Sequence, residues 1–218
     1  IEDGIAYSSN WADGVVAVDI GAKKHKEADR SKSQFNPLLA KAGQGSPSNP
    51  IKLAEMKDPT GRNHAAFPYT SESTGQFYIV GGDENFPWGV MATKNKPSNP
   101  RGAYHFLNFT DPENPTEDAI YEVPEAGSHN LWIYGDMLLA GNYQGGFRVV
   151  DISGELLGDI YKQGREIAHY LSYHEKGRIA NAPMVWGAQP YKDYIFFSDM
   201  NSGLYCVQLE EESSSSTD

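Results

Sequence analysis

The chain has 218 residues, 39% of them hydrophobic, which supports one domain or two small ones and excludes wholesale disorder. Its net charge of −11 argues against a nucleic-acid partner, and the single basic run, Lys23-Lys24-His25-Lys26, leads straight into Glu27 and Asp29. A lone Cys206 excludes a disulfide framework or cysteine-based metal cluster, and no apolar run approaches the ~18 residues of a membrane span.

Gly 22 and Pro 13 beside Tyr 13, Phe 9 and Trp 4 point to aromatic-rich strands joined by many turns. Residues 4–20, GIAYSSNWADGVVAVDI, alternate apolar and polar side chains, turn between Asn10 and Gly14, and alternate again, which is a hairpin signature. Residues 21–50 are rich in Lys, Ser and Gly and read as a long surface loop with one helical turn near Leu38. The next hairpin is split: GQFYIVGGDE (75–84) supplies its first half and GAYHFLNFTDP (102–112) its second. The split requires an insertion at about 85–101 and one extra residue near Leu107, read as a bulge. A strand over 129–134 leads into the hairpin YGDMLLAGNYQGGFRVVDI (134–152), and a further strand is predicted over 156–161. Ile167, Tyr170, Leu171 and His174 have helical spacing, so a short helix is predicted at about 163–178. The last hairpin is YKDYIFFSDMNSGLYCVQL (191–209), followed by an acidic and serine-rich tail at 210–218 that is predicted to be disordered.

These hairpins are copies of one unit. Asp136 falls on Asp193, Asn142 on Asp199 and Gly146 on Gly203; Asn10 likewise falls on Asn142 and Asp19 on Asp151. A unit of four antiparallel strands repeating every ~55–65 residues is the build of a β-propeller blade. A β-sandwich is the alternative, but a sandwich has no reason to repeat whole hairpins in register. The units supply three, four, four and three strands, about three and a half four-stranded antiparallel blades. The first unit lacks its inner strand and the last its outer one, so the expectation is an all-β propeller over 1–209 that is part of a larger ring. Open strand edges would otherwise be exposed.

The phrases GVVAVDI, GGFRVVDIS and FTDPENP carry a resemblance, reinforced by His64 with Asn63, Asp83-Glu84, His129-Asn130-Leu131, Trp186-Gly187 with Pro190, and Ser198-Asp199 with Gly203-Leu204-Tyr205. In number and order they resemble the LVIVD-repeat family of bacterial envelope or secreted β-propellers, over most of the chain outside the two insertions and the tail. The sequence departs from that pattern at Leu107-Asn108, where Asn replaces the repeat's aspartate, and after Ser153, where the Asp-Pro-x-Asn-Pro turn is absent. The resemblance implies a secreted, periplasmic or cell-surface protein whose signal peptide lies outside this sequence. It implies no particular reaction.

No Gly-x-Ser-x-Gly elbow, His-Glu-x-x-His pair, phosphate loop or dinucleotide fingerprint is present. Gly43-Gln44-Gly45-Ser46 is read as linker. His169 and His174 are five apart, the wrong spacing for two ligands on one helix face. The recurring Asn10, Asn142 and Asp199, with Asp19 and Asp151, are read as turn formers.

The remaining candidates share a position. His64 and His129 open the first strands of successive units, Asp83 and Glu84 close a second strand, and Trp186 with Gln189 takes the equivalent place in the last unit. Together with Asn130 they are expected to gather at one rim of the propeller channel. Imidazole and carboxylate there could serve a ligand, a divalent metal such as Ca²⁺ or Zn²⁺, or general acid–base chemistry. Hydrogen bonds from these histidines to neighbouring backbone would instead be purely structural. Two functions follow. One is a non-enzymatic extracytoplasmic binding or scaffold module for protein or carbohydrate, supported by the repeats and by Phe86 and Trp88 in the insertion, with no obligatory cofactor. The other is a metal-assisted hydrolase or lyase with its pocket at the channel mouth. The remainder of the propeller, or another chain, is a further expected partner.

Overall fold

Alternating residues of an extended chain face opposite sides, so each alternating run in this sequence offers a sheet one apolar face or two. The computed structural model describes residues 1–24, 35–57, 59–84 and 102–210, and among them it is all-β. The first sheet is β1 (Ile5–Ser9), β2 (Val15–Asp19) and β3 (Ile51–Met56), in that order. The second is β4 (Asn63–Thr70), β5 (Phe77–Asp83), β6 (Ala103–Asn108) and β7 (Thr116–Glu122). The third is β8 (Leu131–Tyr134), β9 (Met137–Gly141), β10 (Phe147–Asp151) and β12 (Glu166–Tyr170). The fourth is β13 (Val185–Tyr191), β14 (Tyr194–Asp199) and β15 (Gly203–Val207).

Within each of these sets neighbouring strands are antiparallel, and the repeated units are the middle hairpins: β1–β2, β5–β6, β9–β10 and β14–β15. The expected bulge appears as a register shift between Phe106 and Leu107 where β6 pairs with β7. Three apolar cores stack the sheets in series. Ile5, Val15 and Leu53 meet Phe77, Ile79 and Leu107; Tyr78, Tyr104 and Phe106 meet Leu131, Leu138 and Val150; Leu139, Phe147 and Val149 meet Val185, Ala188 and Phe197.

Two expectations are corrected and a third is qualified. No helix forms at 163–178; β12 runs along β10 instead, from Phe147↔Tyr170 to Val150↔Glu166. The free edge of β10 offers a row of backbone donors and acceptors, and pairing them outweighs a weak helical spacing that leaves Ile167 and Tyr170 exposed. The strand expected at 156–161 is not the fourth of its unit. Its remnant β11 (Gly158–Asp159) pairs parallel with β7 of the second sheet, outside its own unit. Leu156 and Ile160 draw it there by sinking into the core between the second and third sheets. Finally, the described part of 21–50 is a largely exposed connection, as expected, except for one stretch that sinks inward. Phe35, Leu38 and Ala42 are buried against the first sheet, and Pro37–Ala40 forms the one helical turn, a 3₁₀ turn capped by the Asn36 side chain accepting from the Leu38 N–H. The insertion at 85–101, with Phe86 and Trp88, and the tail beyond Glu210 lie outside the described residues.

Candidate functional site

One aromatic ring from each sheet meets at a common rim. Trp11, at the tip of the β1–β2 hairpin, lies 6.3 Å from His64 on β4 between ring centroids. His64 lies 4.4 Å from His129, which precedes β8, and His129 stacks on Trp186 of β13 at 5.1 Å with an interplanar angle of 13°. The arc Trp11–His64–His129–Trp186 therefore crosses all four sheets. Trp11 and Trp186 are the exposed ends and His129 is buried.

Hairpin tips set this geometry. Trp11 and Tyr143 follow Asn10 and Asn142 in the repeat, and both hold a left-handed backbone, φ 50° and 45°. Such values are uncommon for bulky residues. Here they turn each tip onto the next sheet, where Trp11 bridges Asn63 and Tyr143 bridges Val185. The Asn side chains serve these turns as donors: Asn142 Nδ2 donates to the Ala140 carbonyl and Asn10 Nδ2 to that of Ser8. Asp199 does accept them, from Asn201 and Ser202.

Around the arc the polar groups are paired. His64 Nδ1 stands 3.3 Å from Glu84 Oε2, and the Tyr143 hydroxyl donates to Glu84 Oε1 at 3.2 Å. Nδ1 of His129 faces the Trp186 carbonyl oxygen at 3.1 Å. A carbonyl only accepts, so this nitrogen carries the proton and Nε2 keeps its lone pair in the neutral ring. Burial, and then the neighbouring His64, hold the His129 imidazole below its ordinary pKa, against the opposing pull of the Trp186 carbonyl and Glu84. Burial, followed by the charge of Glu84 and the hydrogen bond to it, pushes the Tyr143 phenol well above its ordinary value.

Of the residues expected at the rim, His64, Glu84, His129 and Trp186 are brought together. Asp83 is not among them, because adjacent residues of an extended strand point to opposite faces. It is buried and faces His105 Nε2 at 3.3 Å, while the other ring nitrogen of His105 pairs with Glu117. Burial alone would raise the Asp83 carboxyl. The bond and charge of His105, with donation from the Thr60 hydroxyl and Ala103 N–H, more than offset this and hold it below the usual carboxylate range.

Asn130 ties the third sheet to the fourth through its backbone, donating to the Trp186 carbonyl at 2.9 Å. Its side chain and Gln189 line a groove of about 460 Å³ with Phe67, Trp132, Trp186 and Leu204, beside the histidines. Trp11 and Tyr143 are the rim residues that sequence reasoning missed. Their signal was present, since each is the residue after the repeated asparagine.

No protein-family model and no curated protein matches the chain. Among solved structures, the computationally designed Ika4 protein matches over 96% of this chain and 88% of its own, with a TM-score of 0.52 at 10% identity. The designed Ika8 protein matches over 96% of this chain and 57% of its own, with a TM-score of 0.42 at 11% identity. The likeness to Ika4 is one of fold alone.

Proposed function

We propose that this chain forms part of a β-propeller of the LVIVD-repeat kind and acts at the cell envelope as a carbohydrate-binding module. The four sheets in chain order, each built on the same middle hairpin, support the propeller. No helix among the described residues is long and apolar enough to cross a membrane, which is consistent with exposure of the module to solvent. The observation that carries the binding role is the groove where the aromatic rings Phe67, Trp132 and Trp186 lie beside the free amides of Asn130 and Gln189. Aromatic faces stack on the C–H face of a sugar ring while side-chain amides hydrogen-bond its hydroxyls, the combination of apolar wall and few polar groups that ligand sites use.

A glycan array followed by tryptophan fluorescence titration tests this. The expected result is saturable binding to one or more oligosaccharides that falls about tenfold or more in Trp186→Ala and in Gln189→Ala. Absence of any glycan binding, with a natively folded chain, would overturn the carbohydrate reading and leave a protein ligand as the alternative. A metal-assisted hydrolase or lyase at the same rim would in addition have to turn over a bound ester or glycoside.

A further inference from the structure

His64, Glu84 and His129 each offer one metal-competent atom, and those atoms all lie within 4.8 Å of one another. Their surroundings orient them as ligands are oriented in metal sites. His129 is held by the Trp186 carbonyl in the tautomer that leaves Nε2 unprotonated, and Glu84 is steadied on its other oxygen by the Tyr143 hydroxyl. Such outer partners fix ring orientation and carboxylate position around a cation. Two imidazoles stand 4.4 Å apart, ring to ring, close enough to address one ion between them. A cation shared between them satisfies both lone pairs.

We propose that these three residues bind a first-row divalent cation, with Zn²⁺ the best match to two imidazoles and one carboxylate. The proposal rests on the reading of this rim as a binding site and adds the ion to it. Donors 2.0–2.1 Å from a tetrahedral ion stand roughly 3.4 Å apart, so no gap among atoms that lie within 4.8 Å of one another has to close by more than about 1.4 Å. Rotation of the half-buried His64 and Glu84 side chains supplies that movement, because both keep access to solvent. Zinc takes the place of the direct contact between His64 and Glu84, and the fourth position is left to water or to an oxygen of the ligand.

The test is calorimetric titration of ZnCl₂ into the chelator-treated chain, with Co²⁺ absorption as a second readout of coordination geometry. One equivalent is expected to bind, with the strong visible bands of tetrahedral cobalt. Affinity should fall about 100-fold in His64→Ala and in Glu84→Gln, and about tenfold in Tyr143→Phe. His64 and Glu84 are half-buried, so their variants are the informative ones if His129→Ala fails to fold. Binding that survives in both His64→Ala and Glu84→Gln, or that is lost only when the exposed His169 and His174 are replaced by alanine, would overturn the site. Glycan binding that persists without zinc binding would overturn the ion alone. Loss of glycan binding in Trp186→Ala with zinc binding intact would confirm that the two readings rest on separate groups.

Discussion

At the scale of single residues, Asp19 shows how far local pairing can go. Its carboxylate accepts five backbone N–H groups, from Gly21 and Ala22 on one oxygen and from Gly43, Gln44 and Gly45 on the other. The Gly-rich stretch that reads as linker is thus a cradle, and the anion it holds belongs to the chain itself. Gly45 has no room for a side chain, since a Cβ there would lie 2.1 Å from the Asp19 carbonyl oxygen. The N–H of Gly21, first among these donors, outweighs desolvation and holds the Asp19 carboxyl far below its ordinary pKa. A depressed carboxyl stabilises the fold fully above the unfolded value near 3.9, and this contribution is lost as pH falls through the folded value. Asp19→Asn is therefore expected to lower the melting temperature at pH 7, with the gap from the parent narrowing progressively below about pH 4. Melting curves across that range check it, and a gap independent of pH would contradict the account.

At the scale of elements, the inner ends of the hairpins decide how closely the sheets approach. At Gly141, the last residue of β9, an added Cβ would lie 2.5 Å from both the carbonyl carbon and oxygen of Trp186. The backbone of the fourth sheet occupies that space and takes the His129 and Asn130 hydrogen bonds from it. Gly141→Ala is expected to cost about 1–3 kcal/mol, as overpacking does. It should also loosen the His129–Trp186 stack, which denaturant melts and tryptophan emission would report together. Much of this level was legible in the sequence. Alternation around an Asn/Asp-x-x-x-Gly turn marks three of the four hairpins, and because His64 and His129 open equivalent strands, their meeting follows from the repeat. The fate of 152–170 was not legible, because it depends on an edge of β10 and a core that exist only after the sheets assemble. Asp83 was misplaced for a simpler reason: strand parity allows only one of two adjacent carboxylates to face the rim.

At the scale of the whole molecule, the second and third sheets are covered by apolar cores on both faces, and the first and fourth on one. Every residue of β5 is buried, as are four of the five in β9, whereas β15 is largely exposed. Amide hydrogen exchange should follow that gradient, because opening a strand buried on both sides approaches global unfolding while outer strands open locally. The slowest amides are expected in β5, β6 and β9, and the fastest strand amides in β12 and β15. Uniform protection across the four sheets would contradict this ordering.

The short parallel rung between β11 and β7 has a mechanical meaning. Prying the second and third sheets apart loads that rung and also drags Leu156 and Ile160 from the core they share. Those two sheets must therefore tilt together, as one braced body. The first and fourth sheets are joined to it by an apolar core each and by rim contacts, Trp11 with Asn63 on one side and Tyr143 with Val185, and Asn130 and His129 with Trp186, on the other. The strands that bring His64 and His129 to the rim belong to this braced body, while Trp11 and Trp186 are supplied by its two outer neighbours, so the middle pair of the arc has the stiffest backing.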